Sequence, residues 1–243
     1  MKFAFAAAAA TLSMATAVHA IGPVPVSLPG TTDFDGWDDL TTSNPQISST
    51  VIPFPFPAFP GFSPWPTSID PTVTGSTGAA FDKVSGAGYP ASVSIYASPF
   101  GNGVFSVSDP TPLADLETIV FQVQIGEGSA GYLQSVPTLT VNGGTVVPTF
   151  SRGITDVTSE PIPFLGNAII PLTTFAYQWD LSGLGPITDF DIQFATSGTS
   201  TTIFALQLDQ GDTFANANVP EPASLALLAT GALAMVRRPR RKG

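Results

Sequence analysis

Thr118-Ile119-Val120-Phe121-Gln122-Val123-Gln124-Ile125 puts Ile119, Phe121, Val123 and Ile125 on one face of an extended chain and Gln122 and Gln124 on the other. Successive side chains of a strand point to opposite faces, so the stretch reads as a half-buried strand. The same period returns in Thr173 to Leu181, where Phe175, Tyr177, Trp179 and Leu181 share a side. It returns in Asp189 to Ala195, with Phe190, Ile192 and Phe194 inward and Asp189, Asp191 and Gln193 outward. Ala91 to Ala97, Val104 to Ser108 and Thr201 to Leu208 are further β-rich runs. Thr138 to Val141 and Thr145 to Val147 flank Asn142-Gly143-Gly144, a hairpin signal. No segment before Ala223 has a helical period, and no repeat of fixed length is present. The expected fold is all-β, an antiparallel β-sandwich that is jelly-roll-like, with a helix at each terminus.

Working outward, Thr31 to Leu40 leads into the strands. Residues 51–66 interleave Pro53, Pro55, Pro57, Pro60, Pro64 and Pro66 with Phe54, Phe56, Phe59, Phe62 and Trp65. Such a segment cannot pair as a central strand and reads as a Pro/Phe-rich loop. Its aromatics either cap the core or offer a surface to sugar rings; burial is the commoner use. Residues 21–219 are expected to form a single β-sandwich domain.

The charge of this body is strongly asymmetric. Seventeen of the 18 acids and two of the eight bases, Lys83 and Arg152, lie in it, so it carries 2 − 17 = −15. That excludes nucleic acid as a partner on electrostatic grounds. Cysteine is absent, and the single histidine, His19, lies near the N-terminus. A body without His or Cys excludes zinc sites of the nitrogen/sulfur kind, Ser-His and Cys-His nucleophile pairs, and haem or iron–sulfur ligation through those residues.

Carboxylates are then the abundant reactive groups. Asp33, Asp35, Asp189 and Asp191 are candidate ligands for a structural calcium, although aspartate in turns and on exposed strand faces is commoner. No other cofactor is expected. A glycosidase would need two carboxylates flanking a bond, and no spacing pairs Glu117, Glu127 or Glu160 with a partner. Gly101-Asn102-Gly103 and Asn142-Gly143-Gly144 read as hairpin tips; neither opens a helix, so neither cradles phosphate. Trp179 alternates with core positions and is expected inside. Trp37 and Trp65 are the candidates for glycan contact, with one or the other facing solvent.

The ends read as addresses. Met1-Lys2 is followed by an alanine-rich apolar stretch to Val18, and Val18-His19-Ala20 offers small residues for signal peptidase. Residues 1–20 are therefore expected to be a secretory signal peptide cleaved after Ala20. At the other end, Pro220-Glu221-Pro222 precedes an uncharged run from Ala223 to Val236, then Arg237, Arg238, Arg240, Arg241 and Lys242. The two prolines keep the tripeptide extended. Fourteen apolar residues span roughly 21 Å as a helix, short of the hydrocarbon core. The basic end would act as a membrane stop on the cytoplasmic side, its long stems extending the reach.

Tripeptide, apolar helix and basic terminus, in this order over residues 220–243, resemble the PEP-CTERM sorting signal that exosortases process. Tyr177 to Phe214 is also similar to a strand pattern found in PEP-CTERM proteins. The resemblance implies export, transient retention at the inner membrane by the C-terminal helix, recognition of Pro220-Glu221-Pro222 by an exosortase, and passage to the cell surface or extracellular matrix. It implies a non-enzymatic role in adhesion or exopolysaccharide association. The alternative is a secreted carbohydrate-active enzyme working through carboxylates.

Overall fold

A computed structural model of the chain describes residues 23, 26–40, 65, 67–90, 94–96, 102–126, 133–148, 150–162, 168–197 and 201–216. Twelve strands lie in this part, in chain order β1 (Thr32–Trp37), β2 (Ala80–Gly86), β3 (Tyr89–Pro90), β4 (Ile95–Tyr96), β5 (Gly103–Asp109), β6 (Thr118–Gly126), β7 (Thr138–Val141), β8 (Gly144–Val146), β9 (Phe150–Ile162), β10 (Ala168–Asp180), β11 (Phe190–Ala195) and β12 (Thr202–Gly211). The described residues contain no helix, and so none long and apolar enough to cross a membrane. The expected terminal helices, the signal peptide with Ala20, residues 51–64 of the Pro/Phe-rich loop, and Pro220 to Lys242 lie outside the described residues.

The strands form two antiparallel sheets. One has seven strands in the order β3-β4-β12-β6-β10-β9, with β1 also paired to β12; the other has five, in the order β2-β5-β11-β7-β8. The chain alternates between them, from β4 to β5 to β6, and from β10 to β11 to β12. Two facing sheets joined by such crossings make the jelly-roll-like sandwich that the alternating sequence predicts.

Register follows from the alternation. Ile119, Phe121 and Val123 of β6 lie opposite Trp179, Tyr177 and Phe175 of β10, and opposite Gln210, Leu208 and Leu206 of β12. All the apolar members turn inward and are buried in one hydrophobic cluster. Its centre is a ladder of rings. Phe81, Phe105 and Phe194 come from adjacent strands of the five-stranded sheet, with centroids 5.8 Å and 5.6 Å apart, and Phe121 meets Phe194 from the facing sheet at 5.3 Å. Each such ring stabilises by about 1.5–3 kcal/mol through burial.

Three expectations change in the structure. Of Ala91 to Ala97 the structure describes only residues 94–96, where β4 pairs antiparallel with β3, Tyr89 opposite Tyr96. Gly101-Asn102-Gly103 does not tip a hairpin. Asn102 accepts the Ala87 N–H at 2.9 Å while the chain crosses from β4 to β5 in the other sheet. Thr31 to Leu40 contains β1, a full partner of β12. β9 carries no strand signal in its sequence, because its apolar residues do not alternate. It is the edge strand beside β10, where a proline such as Pro161 is tolerated. The Asn142-Gly143 hairpin is as expected: φ is 46° and 79°, positive at both central residues as a type I′ turn requires.

Candidate functional site

Neither candidate for glycan contact faces solvent: Trp37 and Trp65 are both inside, which corrects that expectation, while the buried Trp65 agrees with the reading of the loop's aromatics as core caps. The inner face of β1 points Trp37 into the core, fully buried, with its indole N–H donating to Ile69 O at 2.9 Å. Trp65 is buried edge-on against Phe81, at 5.4 Å between centroids, and donates to Gly88 O at 3.4 Å. Their polar handles are spent on backbone carbonyls, so neither ring presents a face to a sugar. Lys83 lies 5.9 Å from the Trp65 ring centroid and donates to Gly88 O at 3.0 Å. Burial lowers its pKa to about 8. Trp179 is buried as expected, and its indole N–H has no acceptor among the described residues.

The four aspartates named for calcium fall in two separate places. Asp33 and Asp35 are on β1 in the seven-stranded sheet; Asp189 and Asp191 are at the start of β11 in the five-stranded sheet. Asp35 is fully buried and accepts the N–H groups of Thr77 and Gly78 at 2.8 and 2.7 Å, and the Thr77 hydroxyl at 3.2 Å. It therefore pins the 71–79 loop to β1. Asp33 has a raised pKa, first from burial and then from the charges of Asp35 and Asp109. Asp109 in turn accepts from Gln210 Nε2 at 2.7 Å and from Thr111 N at 2.8 Å, tying the two sheets at this end. Asp189 accepts the Thr188 hydroxyl at 3.0 Å on the surface. Among the described residues no three ligand-type side chains converge as a metal would need.

Two polar surfaces went unrecognised in the sequence. On the outer face of the seven-stranded sheet, Asp209 accepts from Gln207 Nε2 at 2.8 and 2.9 Å and also bonds Gln122. Burial pushes its pKa up to about 7, against the pull of those two amides. With Asp33, Thr32, Phe34, Val26 and Leu28 it lines a recess of about 120 Å³, well under the roughly 300–1,000 Å³ of a small-molecule pocket.

The second surface is the outer face of the five-stranded sheet. Pairing brings Asp82 of β2 opposite Ser106 of β5, Ser106 opposite Gln193 of β11, and Asp191 opposite Thr140 of β7. Asp82, Asp191 and Thr140 are half-exposed, and Gln193 and Thr138 are exposed. Asp82 accepts the Ser68 hydroxyl at 2.8 Å. The Asp191 carboxyl is raised by burial and by the charge of Asp82, while a hydrogen bond from Ser106 opposes the shift. The face is polar and built from hydroxyls, one amide and two carboxylates. Period two marked Asp191 and Gln193 as outward; that Asp82 and Ser106 join them depends on strand order, which the local pattern does not carry.

The chain leaves β12 under restraint. Thr31 and Asp212 bond each other through Thr31 N to Asp212 Oδ1 at 2.9 Å and Asp212 N to Thr31 O at 3.1 Å. Phe214 N donates to Glu117 Oε2 at 3.2 Å, and Gln178 Nε2 donates to Ala215 O at 2.7 Å. The sheet order is β12-β6-β10, so the exit segment crosses from one strand over the start of the next to the third.

Among solved structures, a carbohydrate-binding module studied for specific mannan recognition is similar at a TM-score of 0.31 and 10% identity, over 55% of this chain and 74% of that one. A likeness of that size carries no argument about what this chain binds. No curated protein matches the chain. The model of the PEP-CTERM protein-sorting motif matches residues 218–242. The match spans Pro220-Glu221-Pro222, the apolar run and the basic residues to Lys242, directly after the restrained exit segment. The chain thus carries a PEP-CTERM protein-sorting motif, the signal of an exported protein that exosortase sorts.

Proposed function

We propose that residues 21–219 form one non-enzymatic domain that is carried to the cell surface or extracellular matrix and associates there with exopolysaccharide. The face that would do so is the outer surface of the five-stranded sheet. The observation that carries this reading is the row Asp82, Ser106, Asp191, Gln193, Thr138 and Thr140 on one side of paired strands. Carboxylates and amides there can accept hydrogen bonds from sugar hydroxyls, and the hydroxyl and amide groups can donate. The row runs across four adjacent strands, β2-β5-β11-β7, which suits a polymer laid across them better than a small molecule. With two acids and no base among the residues named, it favours neutral glycans and repels acidic ones.

The route to that surface rests on both ends. Signal peptidase would remove residues 1–20 after Ala20, the C-terminal helix would hold the chain at the inner membrane, and exosortase would act on Pro220-Glu221-Pro222. The arginines and Lys242 would stay on the cytoplasmic side. Nucleic acid is no partner for so acidic a body. The reading needs no cofactor, so glycan binding should survive chelation of calcium.

A carbohydrate-active enzyme would need two carboxyls facing each other across a bound bond. Asp82 and Asp191 instead lie on the same outer face, on strands either side of β5, and Asp82 is engaged by Ser68. Calorimetry and co-sedimentation with neutral and acidic exopolysaccharide test the proposal. Weak binding of the neutral polymer, lost in Asp82→Asn with Asp191→Asn and with no sugar released, is the expected result. Retained binding in that double variant, or release of reducing sugar, would count against it.

A further inference from the structure

The exit segment, residues 212–216, is a strap. It starts where Gly211 pairs with Thr118 at the start of β6, passes Glu117, and reaches Gln178 on the outer face of β10. Two strand spacings separate β12 from β10, about 10 Å. Three points hold it: Thr31 on Asp212, Glu117 on the Phe214 N–H, and Gln178 on the Ala215 carbonyl. Both Glu117 and Gln178 are themselves fixed. Glu117 N donates to Gly211 O at 2.9 Å and its carbonyl accepts from Leu181 N at 2.8 Å, while Gln178 is buried within β10.

The strap limits how far the sorting motif stands from the body. From Ala215 to Pro220 there are five residue steps, so an extended chain reaches at most roughly 17 Å. From Gly211, with the strap free, there are nine steps and roughly 31 Å. A body of about 199 residues has a radius of gyration of roughly 16 Å. The clamped leash is therefore only about as long as the body's radius of gyration, and it must also supply the residues that a processing enzyme holds extended ahead of the motif. Freed, it nearly doubles.

We propose that the hydrogen bonds from Glu117 and Gln178 hold the strap closed against the sheet and restrict exosortase's access to Pro220-Glu221-Pro222, so that strap opening precedes processing. Glu117 and Gln178 act through the chain they hold and are positioning residues. The two bonds are ordinary in strength, so opening is a frequent fluctuation and the restriction is a matter of rate.

The test is pulse-chase of the full-length chain in cells that carry the exosortase, following conversion of the unprocessed form. Gln178→Ala, which moves the last anchor back to Phe214, should speed conversion by roughly two- to tenfold for one lost bond, and the double variant Glu117→Ala with Gln178→Ala should speed it further. A Gly-Ser-Gly-Ser insertion between Asn216 and Ala217 leaves both bonds in place and restores the reach, so it should speed conversion comparably. Thermal melts of the purified bodies separate this from unfolding: the insertion variant should melt as the parent does. Glu221→Ala tests the motif itself and should abolish conversion. Unchanged or slower conversion in the clamp variants, or an insertion without effect, would overturn the proposal. Conversion undiminished by Glu221→Ala would instead overturn the reading of the motif.

Discussion

The carboxylate of Asp35 on β1 accepts the N–H of Gly78 at 2.7 Å, across 43 residues of chain. The same carboxylate takes Thr77 N and the Thr77 hydroxyl. A buried carboxylate with three donors is a fastener: it satisfies backbone groups that would otherwise be stranded under the 71–79 loop. The residue expected to be a calcium ligand is thus committed to holding its own loop.

Asp35→Ala should therefore be strongly destabilising. Stranding the Thr77 and Gly78 N–H groups costs about 1–3 kcal/mol each before relaxation. Urea unfolding should show a lower midpoint with the slope unchanged, and added calcium should not restore it. A midpoint within error of the parent's would remove Asp35 from this role.

Stability should fall as pH rises through the window set by Asp209. Its folded pKa is about 7 against an ordinary 3.8. The folded state binds the proton more tightly than the unfolded one, so the stabilisation is full below about 4, declines as pH rises, and is gone above about 7. The upper bound is on the order of 4 kcal/mol. Asp33 and Asp191, also raised, act in the same direction, and Asp212, lowered, acts against them. Asp209→Asn should flatten the profile between pH 4 and 7; a profile as steep as the parent's would contradict the burial assigned to this carboxyl.

Lys83 gives the opposite limb. Its folded pKa of about 8 lies below the ordinary 10.5. The unfolded state binds the proton more tightly, so stability should rise as pH goes from about 8 to about 10.5. Lys83→Met should abolish that rise, since methionine keeps the apolar stem beside Trp65 and loses the ammonium. Melts across this range check it, and a rise that persists in the variant would point to another group.

The sandwich was legible because its central strands are amphipathic in a simple way. Phe121, Tyr177 and Leu208 sit side by side in register, and each lies in a stretch that alternates apolar with polar. β9 was not legible: an edge strand needs no inward apolar row, and its sequence shows none. Asn142-Gly143 announced its turn because both residues tolerate positive φ. The candidate site was harder. Trp37 and Trp65 lie inside because their large apolar surface is worth more there, and the Ile69 and Gly88 carbonyls supply the acceptors their indoles need. The Asp82–Ser106–Asp191 face joins residues from three strands whose order no local pattern encodes. The sorting motif was readable in full, because its information is linear: two prolines, an apolar run, then five positive charges.

The hairpin offers a local check on the five-stranded sheet. Asn142 accepts the Thr188 N–H at 3.0 Å and donates to Pro186 O at 2.9 Å, so its side chain ties the β7–β8 turn to the entry of β11. Gly143→Val would force a β-branched residue to φ 79° and should cost about 1–2 kcal/mol. Hydrogen exchange should rise first in β7 and β8, while β6 and β12 keep their protection. Uniform loss of protection would mean that the turn matters to the whole fold.

Mass spectrometry of the protein recovered from its native cell is the direct test of the whole account. A mature species from the cell surface or medium, beginning at Ile21 and lacking Arg237 to Lys242, is the predicted result. The full 243-residue chain, found intact in the cytosol with both ends present, would contradict it.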